Sequence, residues 1–155
     1  MKFLLLNVGK TNTKNIDSAI IEYHKKIQHY INFDIKNLII KKNNSQKDKV
    51  KKIESDAIKK IINKNDYVIL LDTTGSSFNS VDFSKKVSKL MISSVKRVVF
   101  ITGGAFGFND DIYDIANEKI SLSQMTFTHQ MVRLIFVEQL YRSFTILNNQ
   151  PYHHN

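Results

Sequence analysis

Residues 97–107 read RVVFITGGAFG: an apolar run from Arg97 to Thr102 ends in a loop that holds three of the five glycines of the chain. A short run rich in Val, Phe and Ile is typical of a buried strand. Glycine weakens regular structure and lets a backbone approach closely, so three glycines just after a strand indicate a turn that binds a ligand. The stretch therefore predicts a strand with a small-molecule site at its end.

The rest of the chain repeats this pattern of short apolar runs and helix-like stretches. Further apolar runs suited to strands occur at 3–8, 33–40, 67–71 and, briefly, 120–122. Stretches in which apolar residues recur every three or four positions predict helices at 16–31, 47–62, 81–93 and 111–117. Strands that alternate with helices predict an α/β fold, in which helices cover a parallel sheet on both faces.

The second predicted helix has an apolar and a basic face. Its inner face would consist of Val50, Ile53, Ala57 and Ile61, which recur at helical spacing. Its outer face would carry Lys49, Lys51, Lys52, Lys59 and Lys60. This outer face is expected to be solvated, with contact to RNA phosphate as the alternative. Before it, the polar stretch 41–47 has no periodicity and predicts a flexible connecting loop.

The last predicted helix, 129–147, is apolar on nearly every side. A helix of this kind must be buried on more than one face. In a chain of 155 residues, a homodimer interface is an economical way to bury the second face. Burial inside one subunit is the alternative.

Length and composition limit the class of protein. A chain of 155 residues is of single-domain size, and its lack of cysteine excludes disulfides and thiolate metal sites, which fits a reducing cytoplasm. The N-terminal apolar run 3–8 is too short for a signal peptide or a membrane span. The net charge of +9 favours a nucleic acid partner, although a lysine-rich composition can also reflect the genome.

Three loops follow predicted strands, at 71–75, 102–107 and 122–127. Ligands of parallel sheets bind beyond the carboxyl ends of strands, so these loops could converge on one pocket. Close backbone approach at Gly103 and Gly104, with apolar side chains around it, would suit a flat adenine ring. The glycine loop does not fit the dinucleotide pattern G-x-G-x-x-G and comes too late in the chain for it. Each loop taken alone could equally be a tight turn.

Three further motifs carry a family resemblance: HQMVR at 129–133, EQLYR at 138–142 and NQPYH at 149–153. Together with the glycine loop and the opening MKFLLLNVGK, they make the chain similar over its full length to the RlmH family. This is a family of SPOUT-class ribosomal RNA methyltransferases that methylate N3 of a pseudouridine in 23S rRNA. The chain departs from the family pattern at Thr128, where proline is common, and at His154, where a basic residue is common.

The resemblance implies a fold, a cofactor and an assembly. The C-terminal part of the sheet would form a trefoil knot whose loops bind S-adenosylmethionine. The implied cofactor residues are Leu71, Gly103, Gly104, Leu122, Ser123, Gln124, Met125, Thr126 and Phe127. A homodimer would place the cofactor of one subunit beside substrate contacts of the other, with no metal, no DNA and no membrane involved. The substrate would be pseudouridine 1915 in helix 69, on the assembled 70S ribosome.

Methyl transfer to N3 needs loss of the imide proton, so a base or a positive charge near the acceptor would help. The candidates are His129, Arg142, Tyr152 and His153, with Arg133 and His154 also available. His129 could approach RNA or cofactor, or could merely cap a turn. Arg142 has the spacing of an ion pair with Glu138. The rival functions are a SPOUT methyltransferase acting on tRNA or another rRNA nucleotide, and a non-catalytic basic RNA-binding protein.

Overall fold

The computed structural model describes residues 1–40 and 46–154, in which strands and helices alternate. The strands are β1 (Lys2–Val8), β2 (Asn32–Leu38), β3 (Tyr67–Ser77), β4 (Arg97–Thr102) and β5 (Glu118–Ser121). The helices are α1 (Lys14–Ile27), α2 (Lys47–Lys59), α3 (Ser80–Ile92), α4 (Asp110–Ile115) and α5 (His129–Leu147). Each predicted element is present, and the ends differ by a few residues, apart from the much longer β3. Residues 41–45, most of the predicted flexible loop, lie outside the described residues.

The five strands form one sheet in the order β2-β1-β4-β3-β5, and all neighbouring strands are parallel. Strand β4 lies at the centre, where Phe100 pairs with Leu5 on one side and with Ile69 on the other. The glycine loop therefore begins in the middle of the carboxyl edge. Strand order and register do not define how the chain threads, so the trefoil knot stays a prediction.

Two apolar cores lie on opposite faces of the sheet, as the alternation predicts. On one face, sheet residues such as Phe3 and Phe100 pack against helices α1, α3 and α5. On the other face, residues such as Leu4 and Ile101 pack against Ile58 of α2 and against Ile112 of α4. This arrangement leaves the carboxyl edge of the sheet as the place where loops from several strands meet.

Strand β3 differs from the prediction. The segment 71–75, predicted to be a loop, belongs to β3, whose pairing with β5 shifts register between Leu71 and Ser76. A Cβ atom added to Gly75 would lie 2.5 Å from the backbone nitrogen of Ile120. Only glycine permits this approach of two backbones, and periodicity alone does not reveal it. Leu71 and Asp72 are thereby held on a strand beside β4 and β5.

Helix α2 buries a different face from the one predicted. Ile53 is 45% exposed, whereas Val50, Glu54, Ser55 and Ile58 are buried. The buried stripe runs along positions 50, 54 and 58, so a carboxylate takes the place expected for an isoleucine. A Cβ atom on Gly104 would lie 2.6 Å from Oε1 of Glu54, which shows how closely this stripe packs against the glycine loop. None of the helices in the described ranges is long and apolar enough to cross a membrane.

Candidate active site

A cleft of about 640 Å³ lies at the carboxyl edge of the sheet. Its walls come from four segments that are distant in sequence: the start of α1, the middle of β3, the loop after β4 and the start of α5. Gly103 and Gly104 form one wall, with Leu71 from β3 and Phe127 before α5 on the others. A cleft of this size suits a small organic ligand.

A smaller pocket of about 60 Å³ continues this cleft, since Leu71, Asp72, Thr73, Phe127 and Val132 line both. The predicted cofactor residues that line one or the other are Leu71, Gly103, Gly104, Leu122, Ser123, Met125, Thr126 and Phe127. Gln124 is exposed on the same loop and lines neither. The structure therefore brings nearly all of the predicted cofactor residues together.

The glycines after β4 serve close packing more than unusual backbone angles. Gly107 has a positive φ of 71°, whereas Gly103 and Gly104 do not. A Cβ atom on Gly103 would lie 3.3 Å from Cζ of Phe108, which is buried beneath the loop. The missing side chains leave the backbone of this wall open to a ligand.

Hydrogen bonds fix the loop between β5 and α5. The Ser121 hydroxyl donates to the Ser123 carbonyl, and the Ser123 hydroxyl accepts from the Met125 amide, each at 2.9 Å. Thr128 caps α5, because its side chain accepts from the Met131 amide at 3.4 Å. His129 begins the helix, is exposed and lines the cleft. The cap is therefore made by Thr128, while His129 stands where a ligand would enter.

Arg133 is fully buried, so the structure excludes its direct approach to RNA in this conformation. Its guanidinium donates to the Val8 carbonyl at 2.6 Å and to the Thr11 hydroxyl at 3.0 Å. Gln130 holds the same loop, since its Oε1 accepts from the amides of Asn12 and Thr13. Burial lowers the pKa of Arg133 to about 10, which still leaves it charged at neutral pH. These two residues fix one wall of the cleft to α5.

Asp72 is a cleft residue that the sequence reasoning did not single out. Its carboxylate accepts from the Thr74 amide and hydroxyl at 2.8 and 2.7 Å, and from the Tyr113 hydroxyl at 2.7 Å. Burial alone would raise the pKa of Asp72, but these hydrogen bonds outweigh it and hold the pKa below its ordinary value. The cleft therefore carries a negative charge at neutral pH. The turn pattern Asp-Thr-Thr was the one local feature of the sequence that pointed to Asp72.

The C-terminal tail packs against the far end of α5. The Tyr152 hydroxyl donates to Oε1 of Glu138 at 3.1 Å and lies 3.1 Å from the Tyr23 hydroxyl. The Arg142 guanidinium lies 4.7 Å from the centre of the Tyr152 ring. It also donates to Glu138 at 2.5 and 3.1 Å, which confirms the predicted ion pair. His153 Nδ1 lies 3.4 Å from Arg142 Nη1.

This tail cluster consists of Glu138, Arg142, Tyr152 and His153. Burial and the hydrogen bonds with Tyr23 and Glu138 raise the pKa of Tyr152 well above its usual range. Its phenol therefore stays protonated at neutral pH and donates hydrogen bonds. A phenol in this state does not serve as a proton acceptor for N3.

His129 in the cleft and Arg142 in the tail cluster are far apart within one chain. Arg142 follows His129 by thirteen residues along α5, which corresponds to about 20 Å at the helical rise. The structure therefore places His129 with the predicted cofactor residues, and places Arg142, Tyr152 and His153 together elsewhere. One chain alone does not bring the two halves of the predicted site together.

A comparison with known families matches residues 1–153 to a family described as "Predicted SPOUT methyltransferase". The chain belongs to the SPOUT methyltransferase family. It is 48% identical over 156 residues to a protein of Flavobacterium psychrophilum, and 50% identical over 156 residues to one of Phocaeicola vulgatus. Both are named ribosomal RNA large subunit methyltransferase H, and each alignment covers 99% of either chain.

A solved structure supports the fold. A probable methylase family protein of Haemophilus influenzae matches with a TM-score of 0.57 at 11% identity. The match covers 95% of this chain and 66% of that one. Membership in the SPOUT family confirms the predicted class of methyltransferase and S-adenosylmethionine as its cofactor.

The cleft fits the cofactor of a SPOUT methyltransferase in size and chemistry. Its volume of about 640 Å³ accommodates a nucleoside with an amino-acid tail, and Leu71 and Phe127 offer apolar surface to a flat ring. The open backbone at Gly103 offers main-chain hydrogen bonds. The Asp72 carboxylate complements a ligand with positive charge. In residues 1–40 and 46–154, no cluster of His, Asp or Glu is arranged to hold a metal ion.

Asp72→Asn is expected to weaken S-adenosylmethionine binding about fivefold to tenfold, because it removes a charge that attracts the sulfonium. The demethylated product has no sulfonium, so its affinity falls less. Protonation of Asp72, below its ordinary pKa of 3.8, should likewise lower the affinity of the unaltered chain. Calorimetric titration measures the affinity for each of the two ligands. Asp114→Asn, an exposed acid outside the cleft, is the matched control, and an equal loss for both ligands would contradict the expectation.

Proposed function

We propose that this SPOUT methyltransferase transfers the methyl group of S-adenosylmethionine to N3 of pseudouridine 1915, in helix 69 of 23S rRNA on the assembled 70S ribosome. The observation that carries the proposal is the open cleft at the carboxyl edge, lined by the cofactor residues that the family resemblance implies. The relatives named for methylation of large-subunit ribosomal RNA support an RNA substrate. The net charge of +9 suits a polyanion.

The chain has two tasks in this reaction. When bound, S-adenosylmethionine supplies an electrophilic methyl group, so the protein mainly aligns the acceptor with it. Leu71, Gly103 and the loop 122–127 would hold the donor in the cleft. His129 stands at the entrance, where it can contact the acceptor base or take the N3 proton.

The tail cluster has the second task. Arg142 is paired with Glu138 through Nε and Nη2, but its Nη1 lies beside His153 and can donate a hydrogen bond to the N3 anion. His153 can contact a phosphate or help remove the proton. The Tyr152 ring lies against Arg142 and Tyr141, so its firmest role is to anchor the tail on α5.

A homodimer would join the two halves of the site. Because about 20 Å of helix separates His129 in the cleft from Arg142 in the tail cluster of one chain, the tail of a second subunit is the natural source of substrate contacts. Helix α5 offers a surface for this pairing, since Met131 and Ile135 lie one turn apart and are only half-buried. The homodimer predicted from the apolar sequence of α5 would thus have a function, because each subunit would supply its tail to the cleft of the other.

The decisive experiment is transfer of labelled methyl from S-adenosylmethionine to 70S ribosomes and 50S subunits that lack the modification. Label at N3 of the helix 69 pseudouridine, on 70S particles, is the expected result. Label on tRNA or on another rRNA nucleotide would favour the first rival function. Failure to bind S-adenosylmethionine or its product in a calorimetric titration would favour a non-catalytic RNA-binding protein.

A further inference from the structure

We propose that Phe106 and Lys47 form a platform at the outer rim of the cleft, on which an unpaired base of the substrate RNA stacks. The inference rests on the proposed function, because it assumes that RNA approaches this cleft. It adds a contact that lies outside both the cofactor residues and the tail cluster.

Phe106 is an exposed aromatic residue in an unusual position. Its neighbours Ala105 and Gly107 line the cleft, whereas the Phe106 side chain does not and is 43% exposed. An aromatic ring left open to water costs free energy unless something covers it. Its place on the loop beside Gly103 puts the ring next to the cleft. A nucleotide adjacent to the methylated one would reach it.

Lys47 gives this surface a positive charge. Its Nζ lies 5.9 Å from the centre of the Phe106 ring, within range of a cation–π contact. Lys47 is the first residue of α2 and is followed by the exposed Lys49 and Lys52. Within the described part of the chain, no carboxylate forms an ion pair with Lys47 or Lys49, whereas Lys52 interacts with the Asp111 carboxylate. An aromatic face beside unpaired lysines is the combination that binds unpaired nucleotides, by stacking and by phosphate contact.

A second exposed pair shows what distinguishes this platform. Phe78 is 39% exposed, and Nζ of Lys86 lies 5.8 Å from its ring centre. Lys86, however, is paired with Glu118 and offers no free charge to a phosphate. Lys47 and Lys49 near Phe106 have no such partner, and they would repel the same lysines of a second copy placed against this surface. Charge complementarity therefore favours RNA over a copy of the protein as the occupant.

The test compares variants of Phe106 in RNA binding. Phe106→Ala should weaken binding of an unmodified helix 69 hairpin about tenfold and raise KM for 70S ribosomes similarly. Phe106→Tyr keeps a flat ring and should bind normally, whereas Phe106→Leu keeps apolar area without the flat face and should behave like Ala. Lys47→Gln should weaken binding about threefold and lower the salt dependence by about one phosphate contact. Ile92→Ala, 82% exposed at the end of α3, is the control.

Several outcomes would overturn the platform. Normal hairpin binding and KM for Phe106→Ala, with active unaltered enzyme, would remove it while leaving the proposed function intact. Loss of S-adenosylmethionine binding by Phe106→Ala without RNA would make the ring a cofactor residue. A changed oligomeric state in sedimentation would make it a subunit contact. If the unaltered chain methylates no ribosome, the proposed function fails, and weaker hairpin binding by Phe106→Ala still supports an RNA platform.

Discussion

Deletion of residues 151–155 should lower methyl transfer to 70S ribosomes at least about 1000-fold and leave the affinity for S-adenosylmethionine within about twofold. The deletion removes Tyr152 and His153, and it frees Arg142 from the ring that covers it. Cofactor affinity is spared because none of residues 151–154 lines the cleft, and His129 in the cleft lies about 20 Å along α5 from Arg142. Single-turnover transfer and calorimetric titration measure the two effects separately.

Point variants show which part of the tail matters. Tyr152→Phe removes the hydrogen bonds with Tyr23 and Glu138 but keeps the ring, so transfer should fall only about tenfold. Methyl transfer by His153→Ala should be lower still if the imidazole touches the substrate. Leu147→Ala, an exposed change at the end of α5, is the control for altered folding. Full transfer by the truncated chain would refute the role of the tail, and lost cofactor affinity would refute its separation from the cleft.

Gly103→Val should weaken S-adenosylmethionine binding more than about 100-fold, or about 2.7 kcal/mol. The first added carbon would already lie 3.3 Å from Cζ of Phe108, and the two further methyl groups would occupy the backbone wall of the cleft. Gly103→Ala should lose only about threefold to tenfold, since Phe108 can give way by a few tenths of an ångström. Calorimetry measures binding, and thermal melting checks that both variants fold.

The outcome for Gly103→Val can be separated from a folding defect. If the valine only displaced Phe108, then Phe108→Leu in the same chain would restore cofactor binding. We expect no restoration, because the valine methyl groups take space that the ligand needs. Retained binding by Gly103→Val would show that the cofactor sits elsewhere.

The two inactive chains together test the composite site. If each site takes its cleft from one subunit and its tail from the other, a mixed dimer of Gly103→Val and the truncated chain contains one intact site. Random mixing in equal amounts should then restore about a quarter of the activity of the unaltered dimer, because half of the dimers are mixed. If each subunit carried a whole site, every site in the mixture would lack either its cleft or its tail. The mixture would then stay inactive.

The sequence predicted the architecture because strands and helices leave periodic apolar patterns. The alternation of runs such as 97–102 with amphipathic stretches fixed the α/β class, and the structure confirms the parallel sheet and its two covered faces. The meeting of the loops at one place could also be predicted, because the carboxyl ends of parallel strands lie at one edge of the sheet. Leu71, Gly103 and Phe127 therefore meet as predicted. Their predicted role as cofactor residues came from the family motifs.

Other features depended on packing between segments far apart in sequence. The burial of Glu54 in place of Ile53 follows from the rotation of α2 against the glycine loop, which helical spacing does not determine. The extension of β3 beyond Leu71 depends on the close contact of Gly75 with the backbone of β5. Asp72 lies in the cleft because β3 extends beyond Leu71 and because the Tyr113 hydroxyl on α4 donates a hydrogen bond to its carboxylate.

By itself, the sequence determined the fold class, the family and most of the predicted cofactor residues that line the cleft. These properties depend on local patterns and on motifs that can be read along the chain. The tertiary structure alone decided that Arg133 is buried, that Asp72 charges the cleft, and that Tyr152 and His153 lie at the far end of α5. The physical reason is that burial, hydrogen bonding and distance depend on which segments meet in space, and neighbours in sequence do not specify this.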